Sequence, residues 1–124
     1  MDNKVLLKAT NTEKTKEEIV TVGVITGIKT EDNIQMIRVF FKKRRGEITK
    51  KTLRYNPHIL GVVLSINDIL LWTNKNIYLE YNGLLVPLRS PDRKTYKIAP
   101  ESLEMIIKEQ QDILSLLNDA ILKR

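Results

Sequence analysis

Few side chains in this sequence could carry out covalent chemistry. Its 124 residues include no cysteine, which removes disulfides, thiolate metal sites and cysteine nucleophiles. His58, beside Asn56-Pro57, is the single histidine, and no HExxH pattern exists to build a zinc site. Ser65, Ser90, Ser102 and Ser115 stand in no nucleophile-elbow context. Gly23, Gly27, Gly46, Gly61 and Gly83 match neither a phosphate loop nor a dinucleotide fingerprint. Asp68 and Glu80, or Glu47 and Lys51, could meet across strands, but any small barrel offers such pairs. The expectation is a protein without a catalytic constellation, cofactor or metal.

Positive charge, by contrast, is concentrated. The formal net charge is +6, and the stretch from Lys42 to Arg54 carries all of the excess. It holds Lys42, Lys43, Arg44, Arg45, Lys50, Lys51 and Arg54 against one acid, Glu47. Such an arm attracts a polyanion or an acidic partner surface with salt-sensitive affinity. It also reads as a solvated hairpin tip whose charges discourage edge-to-edge pairing. Phe40 and Tyr55 flank the arm, and single-strand-binding barrels stack bases on aromatic faces beside cations. Tyr78 is a third candidate platform. Phe41 shares a strand face with Ile37 and Val39, and Trp72 follows three aliphatics, so both read as core.

The elements that position this arm are short strands. Residues 1–17 are mostly polar and read as an N-terminal arm, with Val5, Leu6 and Leu7 docking as a short helical turn or an arm. From Glu18 to Ile28, Val20, Val22 and Val24 alternate with smaller residues, a strand pattern. Gly23 and Gly27 strip side chains from one face, which fits a strong bend. A second strand runs from Ile34 to Phe41 and is apolar on both faces, so it must be central or covered. Ile48–Tyr55 returns after the basic turn. Ile59–Leu64, Ile69–Trp72, Ile77–Tyr81, Leu84–Leu88 and Thr95–Ile98 supply further short runs. Asn82-Gly83 is a type I′ hairpin signal. The Ser90-Pro91-Asp92 stretch is a loop. Turns this frequent predict a small antiparallel barrel over residues 18–98, OB-like or alternatively SH3-like.

Pro100 opens a helix predicted to run to Arg124, with Glu101 and Glu104 in its first turn and Lys123 and Arg124 at its end. Leu103, Ile106, Ile107, Gln110, Ile113, Leu114, Leu117 and Ile121 form a seam in alternating three- and four-residue steps. The apolar arc is wider than one small barrel needs, so the helix is expected to join copies of the chain. Gln110 sits where a polar seam residue would fix register.

Three stretches resemble the small OB-domain hub and spike proteins in the baseplates of phage and phage-like contractile tails. They are Val22–Ile28 with the following strand ending Ile37-Arg38-Val39, the turn and strand Ile66–Trp72, and the closing helix from Ser102 to Ile121. Asn67 stands where glycine is common in that family's turn. The resemblance implies a structural role, trimeric self-association and neighbouring tail or baseplate proteins as partners. A nucleic-acid-binding barrel using the 42–54 arm, and a small phage-encoded inhibitor of a nucleic-acid enzyme, are the alternatives. No apolar run approaches the ~18 residues of a membrane span. The N-terminus lacks a signal-peptide core. The expected setting is therefore the cytoplasm and a virion or tail particle assembled there.

Overall fold

A computed structural model describes residues 2–56, 62–88 and 94–122. His58, Pro57, the Ser90-Pro91-Asp92 stretch, Lys123 and Arg124 lie outside the described residues, as do the first three residues of Ile59–Leu64 and the side chain of Ile121. The elements are β1 (Lys4–Thr10), β2 (Thr15–Glu31), β3 (Ile34–Lys42), β4 (Ile48–Tyr55), β5 (Ile69–Trp72), β6 (Ile77–Tyr81), β7 (Leu84–Pro87), β8 (Tyr96–Ile98) and one long helix, α1 (Pro100–Leu122). The expected class holds: a small antiparallel barrel followed by a C-terminal helix.

The strands are ordered β1-β8-β7-β6-β5-β2, and a β1–β2 pairing closes the ring at six strands. The path is up-and-down, with β3 and β4 inserted as a hairpin, and so differs from the Greek key of an OB barrel. β2 makes this possible by its length. One of its edges carries β1 along Thr15–Thr21 and then β3 along Gly23–Glu31, while the other carries β5 at Thr21–Val24. Asp32 and Asn33 take positive φ in the β2–β3 turn, and Asn82 and Gly83 do so in the β6–β7 turn. Both are the tight reversals that right-twisted strands favour.

The N-terminal segment corrects the expectation of a polar arm. Lys4–Thr10 is a barrel strand, with Val5, Leu7 and Ala9 buried on its inner face. Period-two apolar residues, although set among lysines, are enough to hold a strand once β2 and β8 offer both edges.

Two cores result. The barrel interior holds Val5, Leu7, Val20, Val22, Ile69, Leu71, Tyr78, Leu85, Tyr96 and Ile98, and Ile106 of α1 plugs into it. The second core lies outside the ring, where the β3–β4 hairpin folds across β5 and β6. It joins Ile37, Val39 and Phe41 to Ile25, Leu70, Trp72 and Leu79. β5 is therefore buried on both faces, Ile69 and Leu71 inward and Leu70 and Trp72 outward. Gly23 permits the fold-over, because a Cβ there would overlap Val39 and the Trp72 ring. The ladder shifts register between Ile25 and Gly27, a bulge that bends β2 where the hairpin begins to curl.

α1 seals the ring. β8 pairs with β1 only at Ala9 and Thr10. Beyond that the Ser102 hydroxyl takes over, accepting from the Lys8 N–H at 2.9 Å and donating to the Leu6 carbonyl at 3.1 Å. A side chain here does the work of a strand partner for the Lys8 N–H and the Leu6 carbonyl of β1.

Candidate functional site

The β3–β4 hairpin holds the whole basic arm. Its turn is set by Gly46 at φ 83°, with the Lys43 N–H bonded to the Glu47 carbonyl at 2.8 Å and the Gly46 N–H to the Lys43 carbonyl at 2.8 Å. This is a type I turn closed by a glycine bulge. Lys43, Arg44, Arg45 and Glu47 line a shallow depression at the tip. Along the strands, paired residues share a face, so Met36 with Arg54, Arg38 with Thr52, Phe40 with Lys50 and Lys42 with Ile48 form the outer surface. Arg44, Arg45, Lys50 and Arg54 are exposed and Lys43 is half-buried.

Two members of the arm serve the fold. Lys42 is turned toward α1, its Nζ 3.2 Å from Asp112 Oδ2 and 3.4 Å from Glu109 Oε1. Glu109 is buried, and both its oxygens also accept from the Asn3 side-chain amide at 2.9 and 2.8 Å. Burial alone would pull the Lys42 pKa down. The bonds to Asp112 and Glu109 outweigh it, so the ammonium is held above the ordinary lysine value. Lys51 points to the opposite face of β4, where its Nζ lies 5.6 Å from the centre of the Trp72 ring.

Neither expected stacking platform beside the arm is a bare aromatic face. Tyr55 packs on the second core and its hydroxyl donates to the Val62 carbonyl at 3.1 Å. Phe40 is half-buried on the Lys42 side of the hairpin. The reason is topological. One face of the hairpin packs on the second core, which takes Tyr55, and the other meets α1 at its Lys42 end, beside Phe40. Arg38 was not among the expected residues. It is exposed on the same outer face, and its Nε donates to Thr26 Oγ1 at 3.2 Å across the bulge. Its place opposite the register of Ile37 and Val39 was the available signal.

The helix seam also divides. Ile106 and Ile113 are fully buried against their own barrel and so do not form a seam between copies. Ser102 and Glu109 share that buried row at four- and three-residue steps, two polar positions that an apolar pattern does not reveal. Leu103 packs on the barrel core, and Gln110 Nε2 donates to the Asn67 carbonyl at 3.2 Å. On the same flank Ile107 remains 39% exposed, and Leu114 and Leu117 are half-buried.

The third platform candidate, Tyr78, lies in the barrel core. Its hydroxyl donates to Glu18 Oε2 at 2.6 Å and accepts from the Lys16 ammonium at 3.1 Å, and that ammonium sits 5.2 Å from the centres of the Tyr78 and Tyr96 rings. Burial, then the Glu18 carboxylate, pushes the phenol well above its usual range. Asn76 Nδ2 donates to Glu18 Oε1, so this carboxylate is bonded at both oxygens. Asp68 and Glu80 do not act as a pair. Asp68 accepts from the Ser65 N–H at 2.8 Å and Glu80 from the Gly83 N–H at 3.0 Å, each closing its own turn. No helix among the described residues is long and apolar enough to cross a membrane.

Compared with protein-family models, curated proteins and solved structures, the chain matches none.

Proposed function

We propose that this protein is a non-enzymatic assembly module that docks through the β3–β4 hairpin onto an acidic surface of a neighbouring subunit. The observation that carries this reading is the division of labour among the arm's cations. Lys42 is held by α1 and Lys51 stands over Trp72, while Arg44, Arg45, Lys50, Arg54 and Arg38 face outward with Glu47 as the lone acid of the hairpin. A stable fold does not need so many like charges on one projecting element. A partner of opposite sign would offset their mutual repulsion. The resemblance to baseplate hub and spike proteins supplies a setting, a multi-subunit tail particle assembled in the cytoplasm.

The test is binding of a labelled polyglutamate and a labelled single-stranded oligonucleotide across a salt series. The wild type is expected to bind polyglutamate with an affinity that falls steeply with salt. The triple variant Lys43→Ala, Arg44→Ala, Arg45→Ala is expected to lose most of that dependence. Unchanged affinity and slope in the variant would overturn the reading, and a clear preference for the oligonucleotide would replace it with nucleic-acid binding.

A second reading, self-association as a trimer through α1, rests on the flank of Ile107, Leu114 and Leu117 alone, because Ile106 and Ile113 are used within the subunit.

A further inference from the structure

The sheet ends at β4. In the strand order β4 is terminal, and among the described residues no strand lies beyond it. The other strands pair on both edges within the closed ring or, for β3, between β2 and β4. Among the described residues β4 is thus the strand that pairs on one edge alone.

Hydrogen-bond parity shows which groups that edge offers. Lys43 and Glu47 face each other through the Lys43 N–H to Glu47 carbonyl bond. In an antiparallel ladder, residues alternate between pairs that bond to each other and pairs that point away. Lys42 therefore points away from β4, and its carbonyl does accept from the Asn3 N–H on the far side of β3. Counting along the register, Thr49, Lys51, Leu53 and Tyr55 bond to β3. Lys50, Thr52 and Arg54 turn their N–H and C=O groups outward, and among the described residues no backbone hydrogen bond reaches them from beyond β3. The same three residues have exposed side chains.

We propose that the β4 edge is a strand-addition site for an extended acidic segment of a partner protein. This rests on the acidic-partner reading above and specifies its geometry. The edge offers alternating donors and acceptors, which a peptide backbone matches and a phosphodiester backbone, bearing acceptors only, does not. Charge selects the occupant. A second copy of β4 would bring Lys50, Lys51 and Arg54 against their like, and like charges across strands repel. A strand bearing glutamate or aspartate at alternate positions would pair with Lys50 and Arg54 on the outer face. Cations that guard an edge against self-pairing therefore admit one class of guest.

The probe is a capped peptide of alternating glutamate and valine, as long as β4, compared with a polyglutamate of equal charge. Thr52→Pro removes one outward N–H without touching the β3–β4 ladder, since proline is tolerated where a strand N–H faces solvent. The wild type is expected to bind the alternating peptide about tenfold more tightly than polyglutamate, from main-chain bonds added to charge. The amides of Lys50, Thr52 and Arg54 should slow in hydrogen exchange when it binds. Thr52→Pro should abolish the preference yet keep polyglutamate binding, and the Lys43, Arg44 and Arg45 triple variant should weaken both ligands. Equal affinity of Thr52→Pro for the alternating peptide would overturn the edge proposal while leaving hairpin docking intact. If neither ligand binds the wild type, both fall. Concentration-dependent protection of the three amides without peptide would replace the acidic guest with a second copy. Should Thr52→Pro not fold, exchange on the wild type decides: no protection at these amides overturns the proposal.

Discussion

The Lys42 ammonium lies 3.4 Å from the Glu109 carboxylate, joining the last residue of β3 to the middle of the closing helix. The contact sits at the root of the basic hairpin, and it converts one of the arm's cations into a tie between hairpin and helix. Asn3 and Asp112 complete the cluster.

Removing the cation should cost more than an exposed ion pair would. Lys42→Ala leaves the buried Glu109 carboxylate with only the Asn3 amide. The expected loss is about 2–3 kcal/mol, above the ~1 kcal/mol ceiling of surface pairs. The midpoint of urea unfolding at neutral pH measures it.

The same tie predicts an alkaline sensitivity. The folded protein holds Lys42 above its ordinary value, so the stabilisation is complete below the unfolded lysine value of 10.5 and is lost as pH rises through the folded one. Tyr78, also raised, adds a loss that begins above the ordinary phenol value of 10.0. Unfolding free energy followed from pH 9 upward should fall, and Lys42→Met together with Tyr78→Phe should flatten the fall. An equally steep decline in the double variant would refute this assignment.

Ser102→Ala should open the barrel seam. It strands the Lys8 N–H and the Leu6 carbonyl at a place where β8 no longer reaches β1. The expected cost is about 1–3 kcal/mol. Faster hydrogen exchange at the Lys8 amide, ahead of global unfolding, would locate the damage.

Gly23→Ala should disturb the fold-over of the hairpin. The new methyl collides with Val39 and the Trp72 ring, so the second core must spread, at about 1–3 kcal/mol or more. A red shift of Trp72 fluorescence with a lowered melting temperature is expected. A shift in melting temperature without a change at Trp72 would argue for damage elsewhere.

Two helix substitutions separate packing within the subunit from contact between subunits. Ile113→Glu places a charge in a fully buried position and should unfold the chain. Ile107→Glu should leave stability within about 0.5 kcal/mol, as surface changes do. If self-association uses that flank, sedimentation should show an oligomer for the wild type and a monomer for Ile107→Glu. A wild type that is monomeric at every concentration ends the trimer reading.

Much of the fold was legible in period alone. Alternating valines marked β2, the two-faced apolar run of β3 implied a central or covered strand, and Asn82-Gly83 marked its hairpin. β1 was obscured because Val5, Leu7 and Ala9 are separated by Leu6 and Lys8 and flanked by Lys4 and Thr10, and a strand this polar forms only when both its edges find partners. The basic arm was legible as a hairpin, whereas the loss of Lys42 to the helix and of Tyr55 to the second core was not.

Sequence by itself determined the local elements, because side-chain period and turn chemistry act over a few residues: short strands, a proline-started helix and a hairpin rich in cations. The tertiary structure alone decided which way each element faced. Ile106 and Ile107 are adjacent, equally apolar and both on the seam, yet one is buried in the barrel and the other is partly in solvent. That choice depends on the 100° rotation between neighbouring helical residues relative to a barrel assembled from distant strands. For the same reason, the place of β4 at the end of the sheet among the described strands became visible only when the ring had closed without it.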